Sequence, residues 1–159
     1  MSVTVNNPIV VELLTNGGFE GSSSPWVRSA SFLWSGTGGA QAGTGLVSNS
    51  NVNNVSATVY QQVSIPASAT GAATFWTHIT TQETTTTTQY DKLFVEVRNT
   101  SGTLLSTLAT YSNLNKSTGW VQRSVSLAAW KGQTVRLQFR VTSDVSLPSI
   151  FRVDSVSLK

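Results

Sequence analysis

Apolar and polar residues alternate with a period of two along most of this chain, and no stretch keeps the helical period for three turns. Across residues 73–80, Phe75, Thr77 and Ile79 share one side while Trp76 and His78 share the other. Across residues 92–98, Leu93, Val95 and Val97 oppose Phe94, Glu96 and Arg98. Successive side chains of a strand point to opposite faces, so each run predicts a strand with one apolar face. The polar stretch 81–91 between them predicts a hairpin with a loop long enough to have a task of its own, either binding or holding an ion.

The same pattern continues on both sides. Residues 58–65 set Val59, Val63 and Ile65 against Tyr60, Gln62 and Ser64 before Pro66 ends the run. Residues 135–141 put Val135, Leu137, Phe139 and Val141 inward and Arg136, Gln138 and Arg140 outward. Shorter or less regular strands are predicted over 9–14, 26–29, 32–34, 41–46, 104–110, 120–127 and 150–158, with a single turn at 128–132. About nine or ten strands punctuated by Gly, Pro and Asn predict an all-β fold, an antiparallel two-sheet β-sandwich. Residues 1–8 are a polar lead, and 9–159 form one β-sandwich domain.

Composition narrows the function classes. The chain has 159 residues and no cysteine, so disulfides and thiolate metal sites are excluded. Charged residues make up only 11% of it, so the surface must be built from Ser, Thr, Asn, Gln and Gly, as in many secreted bacterial β-proteins. The formal charge of +3 comes from basic residues scattered between Arg28 and Lys159. Without a basic cluster in sequence, no nucleic-acid partner is expected. No apolar run has the length of a membrane span, and the Met1 start lacks the regions of a signal peptide, which suits a mature or excised domain.

If successive strands run antiparallel, loops 47–56, 81–91, 111–119 and 143–149 gather at one end of the sandwich. Glu83, Asp91 and Asp144 then meet there among Thr and Asn oxygens, the hard ligands that calcium prefers, as a second calcium site. The alternative is a set of solvated loops whose acids cap turns. On the strand faces, Tyr60, Trp76, His78, Phe94, Glu96, Arg98 and Arg136 point away from the apolar sides. Aromatic rings among amides and charges are what a sugar-binding face requires, because sugar rings stack on aromatics and their hydroxyls hydrogen-bond the flanks. Against this stands burial of Trp76 under loops. Trp26, Trp120 and Trp130 are assigned to the core or its edges. His78 is the lone histidine and no Gly-x-Ser-x-Gly elbow occurs, so no catalytic residue is assigned and no enzyme is expected.

Several motifs together carry a family likeness. Leu13 to Glu20 with its Asn16, Gly17, Gly18, Phe19 core, then Trp26, the glycine-rich turn to Ala40, Tyr60 with Gln61 and Gln62, and the terminal run from Phe151 to Leu158 resemble galactose-binding-like jelly-roll modules. These include carbohydrate-binding modules of the family four, nine and twenty-two type and C-terminal accessory domains of secreted bacterial peptidases. The stretches around Glu83, Asp91, Val97 to Gly102, Leu108 to Asn115 and Trp130 to Val135 look most like the peptidase-associated version. The resemblance implies a structural calcium held by Glu20 and Asp154, with backbone carbonyls near Gly18 and in the turn from Gly38 to Ala40. Ser155 stands where such domains often carry a second acid. It further implies a secreted, non-catalytic, monomeric accessory module that binds carbohydrate or a cell-surface polymer for a tethered hydrolase. A peptidase-associated domain that binds no sugar and a unit of a surface assembly are the alternatives.

Overall fold

The computed structural model describes residues 1–4 and 10–159. Among the described residues, ten strands form two five-stranded antiparallel sheets. The first sheet has the order β1 (Val27–Arg28), β4 (Ser56–Ser64), β9 (Thr134–Thr142), β6 (Lys92–Arg98), β7 (Leu104–Ser112). The second has the order β2 (Phe32–Ser35), β3 (Leu46–Asn49), β10 (Ser149–Leu158), β5 (Ala72–Thr81), β8 (Val121–Ser126). A short 3₁₀ turn, Ala128–Trp130, occupies the predicted single turn at 128–132.

The alternating runs become strands because their apolar sides face each other across the sandwich. Phe75 of β5 and Phe139 of β9 meet edge to face at 5.2 Å, and Trp26, only 4% exposed, packs on both Phe139 and Phe19. Leu93, Val95, Val97, Leu137, Phe151 and Val153 complete this fully buried layer. Gly45 is required by a close approach: a side chain there would begin 2.1 Å from the Phe19 carbonyl oxygen. Gly17 packs equally tightly on Val156, where β10 bulges between Asp154 and Ser157.

Three expectations change. The expected hairpin of 73–80 with 92–98 does not form: β5 pairs with β10 and β8, and β6 with β9 and β7, so residues 82–91 cross between sheets. Periodicity sets which side of a strand is buried but not which strand lies beside it. The strand expected at 41–46 is displaced to β3, because the backbone amides of Gln41, Ala42, Thr44 and Gly45 are taken by the carboxylates of Asp154 and Glu20. Of the strand expected at 9–14, Ile9 lies outside the described residues, and 10–14 form no ladder. Leu13 donates one backbone bond to Leu158, and the Glu12 carboxylate accepts from the Leu158 amide and the Ser157 hydroxyl. Residues 5–8 of the lead also lie outside the described residues; residues 1–4 are exposed.

Phe75→Ala is expected to cost about 3–5 kcal/mol, read as a lower urea midpoint at unchanged slope, because it opens a void between the sheets. Trp76→Ala, one residue along on the outer side, is expected to cost clearly less.

Candidate functional site

The seven outward residues divide between two opposite faces, and this corrects their reading as one surface. Tyr60, Phe94, Glu96, Arg98 and Arg136 lie outside the first sheet, whereas Trp76 and His78 lie outside the second.

On the first sheet the register fixes the arrangement. Arg136 stands between Gln62 and Arg98, Gln138 between Tyr60 and Glu96, and Arg140 between Thr58 and Phe94. Glu96 is fully buried, and its oxygens pair with Arg98 and Arg140 at 2.7 Å each. The Gln138 amide adds a longer bond of 3.4 Å. Arginine forks on both sides are what permits a carboxylate to be buried here at all. The Arg136 guanidinium lies 4.4 Å over the Tyr60 ring and that of Arg140 4.1 Å over Phe94. Carbonyls of the 99–103 turn fasten the arginines, with Arg136 donating to Thr100 and Arg98 to Gly102. β1 covers only Val59 and Tyr60 of β4, so the strand edge beyond is open. The remaining surface of Tyr60 borders a groove of about 480 Å³ there, lined also by Thr15, Pro25, Val27, Gln62 and Ser64.

The outer face of the second sheet is partly covered. The turn at 36–45 folds onto it: Gln41 and Ala42 amides donate to Asp154, and the Trp120 indole donates to the Gly39 carbonyl. Trp76 is the ladder partner of Asp154 and is half-buried beside this turn. His78 packs on Trp120 at 5.8 Å between ring centres, so Trp120 lies on the outer side of the sheet and not among the core residues; the sequence reading had it in the core or at its edges. Burial, and then the neighbouring Arg152, hold the His78 imidazole below its ordinary pKa.

The polar loops do meet at one end. Asp91 is fully buried, accepting from the Asp144 amide at 3.1 Å and the Ser149 hydroxyl at 2.5 Å, so it braces the loops. Glu83 is 6% exposed, and its carboxylate has no hydrogen-bond donor among the described residues. Desolvation, then the charges of Asp144 and Asp91, push its pKa up. Glu83 and Asp144 line an open cleft of about 410 Å³ with Thr84, Thr85, Tyr90 and Ser146. Among the described residues no three acidic or histidine side chains are grouped closely enough to hold a metal by themselves.

Glu20 and Asp154 both face the turn at 41–45. Glu20 accepts from the Thr44 and Gly45 amides, which lower its pKa, and from the Thr44 hydroxyl. Asp154 is fully buried; burial raises its pKa, partly offset by the amides of Ala42, Ser155 and Gln41, and the Glu20 charge raises it further. Gly38 and Ala40 lie in the adjoining turn, and the Gly18 carbonyl lies close to Gly45. Two carboxylates facing the same turn, with the Glu20 charge felt at Asp154 and no basic side chain bonded to either among the described residues, are a donor set that fits a hard oxygen-seeking cation. Ser155 donates to Gln41 and serves the clip as a hydroxyl.

Gln138 and Arg140 were missing from the residues singled out by sequence. Alternation points them outward, but only the register with β6 brings them onto Glu96.

A carboxyl with a raised folded-state pKa binds its proton more tightly folded than unfolded, so its favourable contribution is present at low pH and lost as pH rises through the raised value. Glu83→Gln should therefore melt higher than the parent at neutral pH in chelator-treated buffer, with the difference closing by about pH 4. Equal melting temperatures at both pH values would show that Glu83 carries no such penalty.

No protein-family model and no curated protein matches the chain. Among solved structures it is similar to TmCBM61 in complex with β-1,4-galactotriose, with TM-score 0.63, 18% identity, and coverage of 94% of this chain and 98% of that one. It is similar to the K3 cleaved adhesin domain of Lys-gingipain from Porphyromonas gingivalis W83, with TM-score 0.60, 16% identity, and coverage of 94% and 98%. A third match is the CBM22-1 xylan-binding domain of Xyn10C from Paenibacillus barcinonensis, with TM-score 0.56, 11% identity and 94% of both chains. The chain thus has the antiparallel β-sandwich, jelly-roll fold shared by carbohydrate-binding modules and gingipain adhesin domains.

Proposed function

We propose that this protein is a non-catalytic carbohydrate-binding module that takes its glycan on the outer face of the first sheet. One observation carries the reading: that face presents Tyr60 beside an open groove of amides and hydroxyls, while the Trp76 face is crossed by a turn pinned to Asp154. A sugar ring would stack on the Tyr60 side of the groove, with Gln62, Thr15 and Ser64 available to its hydroxyls and Phe94 and Arg98 further along the face. The galactotriose and xylan in the names of two structural neighbours support the ligand class. In a secreted bacterial hydrolase such a module would raise the effective concentration of a tethered catalytic domain at its polymer. The adhesin-domain likeness favours a second reading, an accessory domain of a peptidase that contacts protein or cell surface without sugar.

Calcium belongs to the same proposal. Glu20 and Asp154 would hold it together with carbonyls near Gly18 and between Gly38 and Ala40, and the ion would supply positive charge that joins the start of the domain to its last strand. Glu83 and Asp144, with Asp91 behind them, are a second place for an ion.

In titration against a panel of neutral and acidic glycans, Tyr60→Ala should bind about tenfold more weakly, ~1.4 kcal/mol, than the parent. Trp76→Ala should bind as the parent does. Loss with Trp76→Ala alone would move the site to the other sheet, and no binding by the parent would favour the adhesin-like reading. At about a hundredfold excess of calcium over its dissociation constant, the melting temperature should rise by about 5–10 °C. Asp154→Asn should abolish that rise, and Glu83→Gln should leave it if the first site is the one filled. A melting temperature unchanged by calcium or chelator would remove the ion from the proposal.

A further inference from the structure

Charges that are scattered in sequence collect on one surface. By alternation Lys92, Arg98, Arg136 and Arg140 all lie on the outer face of β6 and β9, with Glu96 as the one acidic residue of these strands. Four cations against one carboxylate leave three positive charges, equal to the formal net charge of the whole chain, so the remainder of the protein is neutral in sum.

Two details show that this surface is short of negative charge. Arg98 and Arg136 are direct cross-strand partners, and like charges placed opposite each other oppose pairing. Glu96 serves Arg98 and Arg140 but does not bond Arg136, whose Nε is buried with no acceptor. Arg140 uses Nε and one terminal nitrogen on Glu96, and its other terminal nitrogen has no partner among the described residues. Glu96 itself is fully buried, so an approaching ligand meets guanidinium groups and not the carboxylate. Arg136 and Arg140 lie over Tyr60 and Phe94, and Tyr60 is the ring that borders the groove.

Resting on the reading of this sheet as the glycan face, we propose that its ligand is an acidic polysaccharide whose sugar rings carry carboxylates, a polyuronate. The planar carboxylate matches the guanidinium fork, which a neutral hydroxyl does not. A uronate held against Arg136 would relieve the like-charge contact with Arg98 while its ring lies beside Tyr60, and another along the same polymer would reach Arg140.

The test is titration calorimetry of the full chain with an oligogalacturonate and with the same oligomer fully methyl-esterified, which keeps ring and linkage but removes the charge. Neutral galactan and xylan oligomers, dextran sulfate and duplex DNA complete the panel. Binding to the free acid is expected to be at least about tenfold tighter than to the ester and to weaken as salt is raised. Arg136→Gln should lose about tenfold on the acid and clearly less on the ester, so the preference for the acid narrows. Arg140 also holds Glu96, so Lys92→Gln, with no bonding partner among the described residues, serves as the second variant and should weaken acid binding severalfold at unchanged melting temperature. Equal affinity for acid and ester, or binding to neutral oligomers alone, would overturn the acidic specificity and leave the carbohydrate reading standing. Dextran sulfate and DNA binding as tightly as the oligogalacturonate would overturn it in favour of unselective polyanion attraction. Failure to bind any glycan would overturn both.

Discussion

The contact between the two inner sheet faces is the constraint on which the rest of the structure depends. Phe75 and Phe139 interlock across it, and Trp26 and Phe19 extend the layer toward the start of the domain. Removing this apolar surface from water is the main favourable contribution to folding. It also commits alternate residues of every long strand to the interior, so whatever the protein does must be done by the outer faces, the strand edges or the loops. Those remaining surfaces differ from one another in kind.

The first sheet uses its outer face for a polar lattice. A buried carboxylate is costly unless it is paired and hydrogen-bonded, and Glu96 meets that condition through two arginines. The Arg140 guanidinium in turn lies over Phe94 and that of Arg136 over Tyr60, and the 99–103 turn fastens the lattice from one side. The result is a positioned set of rings and cations, which distinguishes a recognition surface from a merely solvated one. The second sheet spends its outer face differently, carrying a turn that ties Asp154 and Glu20 together and leaves Trp76 partly enclosed.

At the loop end, three acids arrive from three separate segments but play unequal parts. Asp91 gives its oxygens to the loop framework, whereas Glu83 is left desolvated beside two like charges. Such a group stores unfavourable electrostatic energy in the folded state that a proton or a cation can release. The Glu20 and Asp154 pair differs, because turn amides donate to both: they hold Glu20 below its ordinary pKa and partly offset the burial that raises Asp154.

Much of this was legible in the chain. The period of two determined that the protein is all-β and which side of each long strand is buried, because a pleated backbone sends neighbouring side chains to opposite faces whatever surrounds it, and an antiparallel succession of strands put the polar loops at one end. The tertiary structure alone decided which strands are neighbours. Runs 73–80 and 92–98 read as a hairpin yet belong to opposite sheets, so Trp76 and Tyr60, one surface in the sequence reading, look in opposite directions. It likewise decided that Arg98, Arg136 and Arg140 form a cluster, since strand pairing brings together residues about forty positions apart, and no local pattern encodes the partner across a ladder.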